Sequence, residues 1–297
     1  MKRRSIKASV GGVWVCLAAL VVGCSGAAQA QQPMGGGALI QRDVPYGARA
    51  QQDLDVCTLP GGGGKALPAV MLLHGGGWNH GDKAGAGRWC RMAAQQGFVG
   101  VSINYRLIAD AHWPAQIVDA QLAVRWLRAH AARFNIDPRR ICAVGTSAGA
   151  HLAVYLAAAQ QTVRGDDAGE LASTSSRISC AVDISGPVDL TTQRMAQHAK
   201  ALVGPLDPAT EQARIEDASP LRLIGPQTAP ILIIQGAGDT AIIPGEQAQR
   251  LYDAMRQKGR PVQMFDFNGG HSLARLSRDQ LADMEGKMFA FLKQYDH

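Results

Sequence analysis

The sequence lacks the signatures of several classes of protein. It contains no C-x-x-C pair and no H-E-x-x-H motif, so neither a zinc site nor a thiol redox site is indicated. It shows no internal repeat and no heptad pattern, which argues against a solenoid or a coiled coil. We therefore expect no metal and no other cofactor.

Acidic side chains are absent before Asp43, and this absence accounts for most of the positive charge. The chain has 30 basic and 24 acidic side chains, a formal net charge of +6. Four of the basic ones, Lys2, Arg3, Arg4 and Lys7, lie in the first ten residues. Without the first thirty residues, 26 basic side chains face 24 acidic ones. This balance does not favour nucleic acid as a partner.

A segment long enough to span a membrane is also absent. The apolar run Val10 to Val22 has thirteen residues, whereas a transmembrane helix needs roughly 20. A basic head precedes this run, and small residues ending in Ala28-Gln29-Ala30 follow it. This order predicts a secretory signal peptide over residues 1–30 and an exported protein, periplasmic or secreted.

The same leader contains a second cleavage pattern. Residues Val21 to Cys24 resemble a bacterial lipobox, which would leave a lipid anchor at Cys24. We favour ordinary signal peptidase, because a lipobox usually carries leucine where Val21 stands. Export follows from either interpretation.

Four cysteines remain in the exported body: Cys57, Cys90, Cys142 and Cys180. Export permits disulfides, but the spacing does not predict how the cysteines pair. Cys142 and Cys180 lie inside apolar runs that are typical of buried strands. We expect these two residues to be small buried hydrophobic side chains.

After residue 45, short apolar runs alternate with helical patterns. Most runs are continuous, which is typical of strands buried on both faces of a parallel sheet. The alternation predicts an α/β fold, a doubly wound and mostly parallel sheet flanked by helices. Strands are predicted at 69–75, 98–105, 141–147, 178–186, 230–236 and 262–267, and helices at 84–96, 148–160, 245–258 and 277–295, with another beginning near Pro114.

The domain organisation follows from composition. Residues 45–297 are predicted to form one domain, preceded by a flexible lead-in at 31–44. Residues 187–228 are richer in Pro, Asp, Gln and Ala than the flanking strands, which predicts a small cap inserted between two strands. The polar stretch 161–177 is interpreted as a surface loop.

Ser147 is the candidate nucleophile. It is the central residue of Gly145-Thr146-Ser147-Ala148-Gly149, which matches G-x-S-x-G at the end of a predicted strand. A tight strand-to-helix turn strains the serine backbone and requires small residues two positions before and after it. A plain glycine-flanked helix start is the alternative in a chain with 34 glycines. The position at the carboxyl end of a parallel strand favours the nucleophile.

A hydroxyl nucleophile needs a base and an orienting carboxylate. His271 follows the last predicted strand in a glycine loop, and Asp239 lies in the turn after the penultimate strand. The order Ser147, Asp239, His271 is the one expected of an α/β-hydrolase. Asp189 is a rival acid, whereas Asp183 is assigned to the interior of a strand.

The glycines at 75–77 follow an early strand and are the candidate oxyanion loop. Glycine lets the backbone approach a ligand closely, and successive N–H groups can point at a developing negative charge. We expect the N–H groups of Gly76 and Gly77, with that of Ala148, to form the oxyanion hole. The alternative is a flexible glycine loop.

The residues that bracket these glycines have separate predicted roles. His74 is expected to brace the loop rather than to take part in the chemistry. Trp78 and Asn79 are assigned to the substrate pocket, with a packing role as the alternative for Trp78.

Four motifs together resemble one family. Over roughly residues 45–295 the sequence resembles the α/β-hydrolase esterases of the hormone-sensitive-lipase-like and bacterial feruloyl/acetylxylan-esterase-like groups. The motifs are His-Gly-Gly-Gly-Trp at 74–78, Asn-Tyr-Arg-Leu at 104–107, the serine motif at 145–153 and a G-x-x-D…G-G-H tail at 236–271.

The resemblance implies the α/β-hydrolase fold, with Ser147, Asp239 and His271 as the triad. The resemblance also implies that the backbone N–H groups of Gly76, Gly77 and Ala148 bind the oxyanion. Ala150 departs from relatives that often carry a third glycine there. The tail after Asp239, with Ile243 and Pro244, is closer to the feruloyl-esterase-like pattern.

The expected function is hydrolysis of carboxylic esters through an acyl-enzyme, with small acyl or aromatic-acid groups. The expected partner is a small-molecule ester. Two alternatives stay open: an amide or formamide hydrolase that uses the same side chains, and a binding protein that keeps the scaffold without catalysis.

Overall fold

The computed structural model describes residues 37–61, 64–159, 169–240 and 242–297. The predicted signal peptide at 1–30, with Cys24, lies outside the described residues, as does part of the predicted loop at 161–177. In the described ranges, no helix combines the length and the apolar character that crossing a membrane requires.

The described residues form an eight-stranded sheet in the order β1-β2-β4-β3-β5-β6-β7-β8. Strands β3 to β8 pair in parallel, and β2 pairs antiparallel with both β1 and β4. The prediction of a mostly parallel sheet is confirmed. The strands are β1 Leu39–Pro45, β2 Asp53–Thr58, β3 Leu67–Leu73, β4 Val99–Ile103, β5 Ile136–Thr146, β6 Ala181–Ile184, β7 Ile231–Gly236 and β8 Val262–Phe267.

Helices cover both faces of this sheet. Along β3, Val70 and Leu72 pack toward α1 and α7, while Met71 and Leu73 pack toward the face covered by α2, α3 and α6. Burial on both faces explains why the central strands are continuous apolar runs. The helices are α1 Gly87–Gln95, α2 Ala115–Ala129, α3 Ala148–Ala158, α4 Ala196–Val203, α5 Pro208–Asp217, α6 Gly245–Gln257 and α7 Arg278–Tyr295.

The prediction of a flexible lead-in at 31–44 is wrong for residues 39–44. These residues belong to the edge strand β1, in which Ile40 lies opposite Cys57. Lys83 adds a second attachment, because its Nζ lies 2.6 Å from Oδ1 of Asp43. An edge strand has one partner and carries polar side chains, so it lacks the continuous apolar run that marks a central strand.

The insertion expected at about 187–228 lies between β6 and β7 and contains α4 and α5. Buried Gln247 of α6 fixes its beginning, because the side-chain oxygen accepts the N–H groups of Val188 and Asp189 at 2.9 and 2.8 Å. Asp207 caps α5, and its carboxylate accepts the N–H of Thr210 at 3.1 Å. These bonds fix the insertion at its base and define its second helix.

Two disulfides link elements of the domain, Cys57 to Cys90 and Cys142 to Cys180. The interpretation of Cys142 and Cys180 as unpaired small hydrophobic residues is therefore wrong. In the parallel register Ala143 lies opposite Ala181, so the preceding cysteines are neighbours, with Cα atoms 4.8 Å apart. That separation lies within the range a disulfide requires. The sequence showed two buried strands but not that they are adjacent.

Replacing both Cys57 and Cys90 by serine should lower the free energy of unfolding by about 3–4 kcal/mol, because the cross-link restricts the unfolded chain. Urea unfolding of the oxidised wild type and of the double variant measures the difference. The control is the wild-type protein with both disulfides reduced. Its free energy of unfolding should fall by at least as much as that of the double variant, because it loses both cross-links. A double variant as stable as the oxidised wild type would contradict this pairing.

Candidate active site

Ser147 lies on a strained turn between β5 and α3. Its backbone has φ 51° and ψ −118°, a region that L residues rarely adopt. A Cβ on Gly145 would lie 2.2 Å from the carbonyl of Gly149, and one on Gly149 would lie 2.2 Å from the carbonyl oxygen of Leu73. Both glycines are therefore required by close backbone contact.

The structure brings the side chains of Ser147, His271 and Asp239 together. Nε2 of His271 lies 2.9 Å from Oγ of Ser147, and its Nδ1 lies 2.6 Å from Oδ2 of Asp239. The Asp239 side chain is 2% exposed and that of His271 is 18% exposed. One ring nitrogen can thus accept the serine proton while the other donates to a buried carboxylate.

Backbone contacts hold the acid and the histidine in place. The N–H groups of Ile242 and Ile243 both donate to Oδ1 of Asp239 at 3.2 Å, so each carboxylate oxygen has its own partners. The N–H of Gly238 donates to the carbonyl of Gly269 at 2.8 Å, two residues before the histidine. The turns after β7 and β8 are therefore joined directly.

The rival acid Asp189 and the strand residue Asp183 have other partners. Asp189 pairs with Arg250 at 3.0 Å and accepts the hydroxyl of Thr191 at 2.6 Å. Asp183 is buried within β6, where desolvation raises the pKa of its carboxyl group to about 7, and its Oδ1 accepts the N–H of Gly186 at 2.8 Å. The carboxylate that contacts His271 is that of Asp239.

The glycine loop after β3 passes next to Ser147. A Cβ on Gly75 would lie 3.4 Å from Cβ of Ser147, so the loop backbone approaches the serine closely. Gly76 and Gly77 have φ values of 117° and 58°, and a Cβ on Gly76 would collide with the carbonyl of His80 at 2.0 Å. Both glycines line one cavity with Ser147, and Ala148 lines it too.

His74 braces this loop, as the sequence predicted. Its ring stacks on Tyr105 at 4.3 Å, and its Nδ1 lies 2.8 Å from the carbonyl oxygen of Gly75. The Tyr105 hydroxyl donates to the backbone carbonyl of His74 at 2.8 Å. Burial lowers the pKa of His74, which favours a neutral ring in this supporting position. Tyr105 belongs to the motif at 104–107, so that motif supports the loop.

The predicted pocket residues differ in their placement. Trp78 lines the cavity but is only 2% exposed, and its ring meets His151 edge to face at 5.1 Å. The Trp78 side chain is therefore almost entirely buried by packing contacts. Asn79 is exposed, and its N–H closes a turn on the carbonyl of Gly76 at 3.0 Å. Both of its chain neighbours, Trp78 and His80, line the cavity, and the assignment of Asn79 to the pocket stays a prediction.

Ala150 shows how the departure from a third glycine is accommodated. It is fully buried in α3, and the space beside its methyl group is kept free by a glycine. A Cβ on Gly186 would lie 2.7 Å from Cβ of Ala150 and 2.5 Å from Oδ1 of Asp183. The alanine therefore fits because its neighbour has no side chain.

Ser147 and His271 line a cavity of about 790 Å³. The segment between β6 and β7 contributes Pro187, Met195 and His198 to its wall, so the predicted cap reaches the site. Among the described residues, no group of three or more His, Cys, Asp and Glu side chains could hold a metal ion.

Sequence reasoning missed most of the cavity wall. Trp89 of α1 and Leu281 of α7 line the cavity, as do the side chains from the segment between β6 and β7. These residues belong to no motif, and they approach one another only when the helices pack on the sheet. Helical periodicity could place them on helices but could not show which turn faces the serine.

These features define an α/β-hydrolase with a Ser-His-Asp arrangement: a serine on a strained turn after a central strand, with partners that follow later parallel strands. The family model described as BD-FAE matches residues 54–255, and the chain belongs to this family.

Two curated proteins of similar sequence are named as an esterase and a probable carboxylic ester hydrolase. The chain is 32% identical over 230 residues to Esterase LipC of Mycobacterium tuberculosis, covering 74% of this chain and 56% of LipC. It is 32% identical over 197 residues to the probable carboxylic ester hydrolase LipM of the same organism, covering 64% and 45%. The chain spans about half the length of these curated relatives.

A solved structure is similar over a larger share of both chains. It is a truncated form of a carbohydrate esterase from gut microbiota, with a TM-score of 0.75 and 27% identity. The match covers 86% of this chain and 96% of that one. The α/β-hydrolase fold therefore extends over most of the present chain.

Replacing Gly145 by alanine should lower the free energy of unfolding by about 1–3 kcal/mol, because the new methyl group meets backbone that cannot move aside. Gly286→Ala is the matched control, since a Cβ there meets nothing within 4 Å. That control lies within α7 and should gain up to about 1 kcal/mol. Urea unfolding measures both, and equal stabilities of the two variants would contradict the required glycine.

Proposed function

We propose that this protein is a serine hydrolase that cleaves carboxylic esters through an acyl-enzyme. The observation that carries the proposal is the continuous chain from Oγ of Ser147 through His271 to Asp239, with distances of 2.9 and 2.6 Å. The names of the relatives, esterase and carboxylic ester hydrolase, support an ester over other acyl compounds.

In the first half-reaction, Oγ of Ser147 attacks the ester carbonyl carbon while Nε2 of His271 accepts the hydroxyl proton. Nδ1 of His271 donates to Asp239, which fixes the tautomer and stabilises the imidazolium that forms. The histidine then gives its proton to the leaving alcohol oxygen, and the C–O bond breaks. An acyl group remains on Ser147.

The negative charge that develops on the carbonyl oxygen needs donors in fixed positions. We assign this role to the N–H groups of Gly76, Gly77 and Ala148, whose residues line the same cavity as Ser147. The positive φ values of the two glycines support the assignment, because they turn the loop backbone at the point where it passes the serine.

In the second half-reaction, water replaces the alcohol. His271 takes a proton from that water, which attacks the acyl carbon, and the proton then returns to Oγ of Ser147 as the acid leaves. The amide and formamide alternative would use the same steps with a nitrogen leaving group, and no contact in the cavity favours it. A protein that only binds a ligand would not need the hydrogen bonds that connect Ser147 through His271 to Asp239, so the binding-protein alternative is disfavoured.

We also propose that the protein acts outside the cytoplasm. The basic head, apolar run and small-residue end of the leader support export. The two disulfides support an oxidising compartment.

Ser147→Ala should reduce hydrolysis of p-nitrophenyl acetate by about a millionfold in kcat, because the attacking oxygen is removed. Release of p-nitrophenol measures the rate, and circular dichroism checks the fold. Ser173→Ala, at an exposed serine, is the matched control and should keep the wild-type rate. Activity retained by Ser147→Ala would refute the proposed nucleophile.

Asp239→Asn should lower kcat by about ten-thousand-fold, because an amide can favour the wrong tautomer of His271. Asp189→Asn is the matched comparison at the rival acid and should have a far smaller effect, since Asp189 pairs with Arg250. Both variants are assayed on the same ester. A larger loss at Asp189 would reverse the assignment of the triad acid.

A further inference from the structure

The cavity continues beyond Ser147 into the layer between the sheet and one pair of helices. Leu72 of β3, Val144 of β5 and Ile184 of β6 line it, and all three belong to the core face that packs against α1 and α7. Each is at most 2% exposed, so this part of the cavity is its deep end. A space lined in this way is unusual, because protein interiors are normally close-packed.

Three further apolar residues line the same cavity: Ala86, which precedes α1, Trp89 of α1 and Leu281 of α7. Trp89 and Leu281 are partly exposed, so they lie nearer to the cavity mouth than the strand residues do. We name these six residues the apolar arm: Leu72, Ala86, Trp89, Val144, Ile184 and Leu281. No side chain of the arm carries a charge, and Arg88, which also lines the cavity next to Trp89, is paired with Glu285.

Trp89 is held in place as a wall of the arm. Its Nε1–H donates to Oε1 of Glu285 at 2.8 Å, and Nη2 of Arg88 donates to Oε2 of the same carboxylate at 3.0 Å. Glu285 is 5% exposed, so an unpaired state of this buried carboxylate would be costly. The tryptophan therefore joins α1 to α7 through Glu285, and its ring has a fixed direction.

The order of steps in the acyl-enzyme mechanism indicates which part of an ester, the acyl group or the alcohol, binds in the deep end of the cavity. The alcohol must depart and water must enter before the second half-reaction, so the alcohol side needs an open route. The acyl group stays attached to Ser147 through both steps and can occupy a closed space. The arm belongs to the same cavity as Ser147, and its apolar lining suits an apolar acyl chain.

We propose that the apolar arm binds the acyl chain, and that the protein prefers esters of apolar acids longer than acetate. The inference rests on the proposed ester hydrolysis. Trp89 and Leu281 are its specificity-determining walls, and a polar or charged acyl group would lose its hydration on entering.

The first test is a series of p-nitrophenyl acetate, butyrate, hexanoate and octanoate with the wild-type protein. Burial of each added methylene should raise kcat/KM by about fourfold up to hexanoate. A parallel series holds the acid as acetate and lengthens the alkyl alcohol, where little dependence is expected. A flat or falling acyl series overturns the proposal, as does a dependence on the alcohol alone.

The second test fills the arm. Leu281→Trp should lower the ratio of kcat/KM for hexanoate over acetate by about tenfold or more. Leu59→Trp is the matched control at an exposed leucine outside the cavity, and it should keep the wild-type ratio. If Leu281→Trp does not fold, Ala86→Leu narrows the arm by a smaller step and should lower the same ratio. An unchanged ratio in a folded variant overturns the proposal.

A binding measurement separates this inference from the proposed function. Calorimetry with Ser147→Ala should show that octanoate binds and acetate does not, and that Leu281→Trp in the same background weakens octanoate. If the wild-type protein hydrolyses no ester although the Ser147→Ala variant binds octanoate in this way, ester hydrolysis is refuted and the proposal for the arm stands. Turnover of acetate without any preference for octanoate would refute the arm and leave ester hydrolysis in place.

Discussion

Close backbone contact around Ser147 is the constraint on which the rest of the site depends. The serine has a positive φ, and the glycines on either side let β5, α3 and the end of β3 approach within a distance that excludes any Cβ. The N–H of Ser147 also donates to the carbonyl of Ile184 at 2.8 Å, which joins the turn to β6. Three strands thus hold one strained residue, and the histidine and the acid are placed relative to it.

Polar groups join the first two strands to the segments that follow β3 and β4. Asp119 of α2 pairs with Arg106 at 2.7 Å and accepts the amide of Gln52 at 2.7 Å, and all three side chains are buried. Asn104 accepts the N–H of Lys83 at 2.7 Å, and Nζ of Lys83 contacts the carboxylates of the first two strands. The two antiparallel strands therefore help to fix the segment that follows the glycine loop, although they contribute nothing to the triad.

The meeting of the three candidate triad residues could be predicted from the sequence because each of them follows its own strand. Ser147, Asp239 and His271 each come directly after an apolar run, and the parallel sheet brings those ends to one edge. Strand β1 could not be predicted, because its sequence is polar and lacks a continuous apolar run. Hydrogen bonds to β2 stabilise it as a strand. The disulfide of Cys142 and Cys180 depends on strand adjacency, which periodicity does not contain.

Reactivity and selectivity are therefore set by different layers of the molecule. The triad and the glycine loop depend on the carboxyl edge of the sheet, where backbone contacts leave little freedom for substitution. The apolar arm depends on how α1 and α7 lie on one face of the sheet. The arm's fixed wall comes from Glu285, a buried carboxylate on α7 that accepts bonds from two residues of α1. We expect substitutions in these helices to change the accepted acyl group while the serine keeps its geometry. The backbone contacts that hold Ser147 come from β3, β5, β6 and α3, and not from α1 or α7.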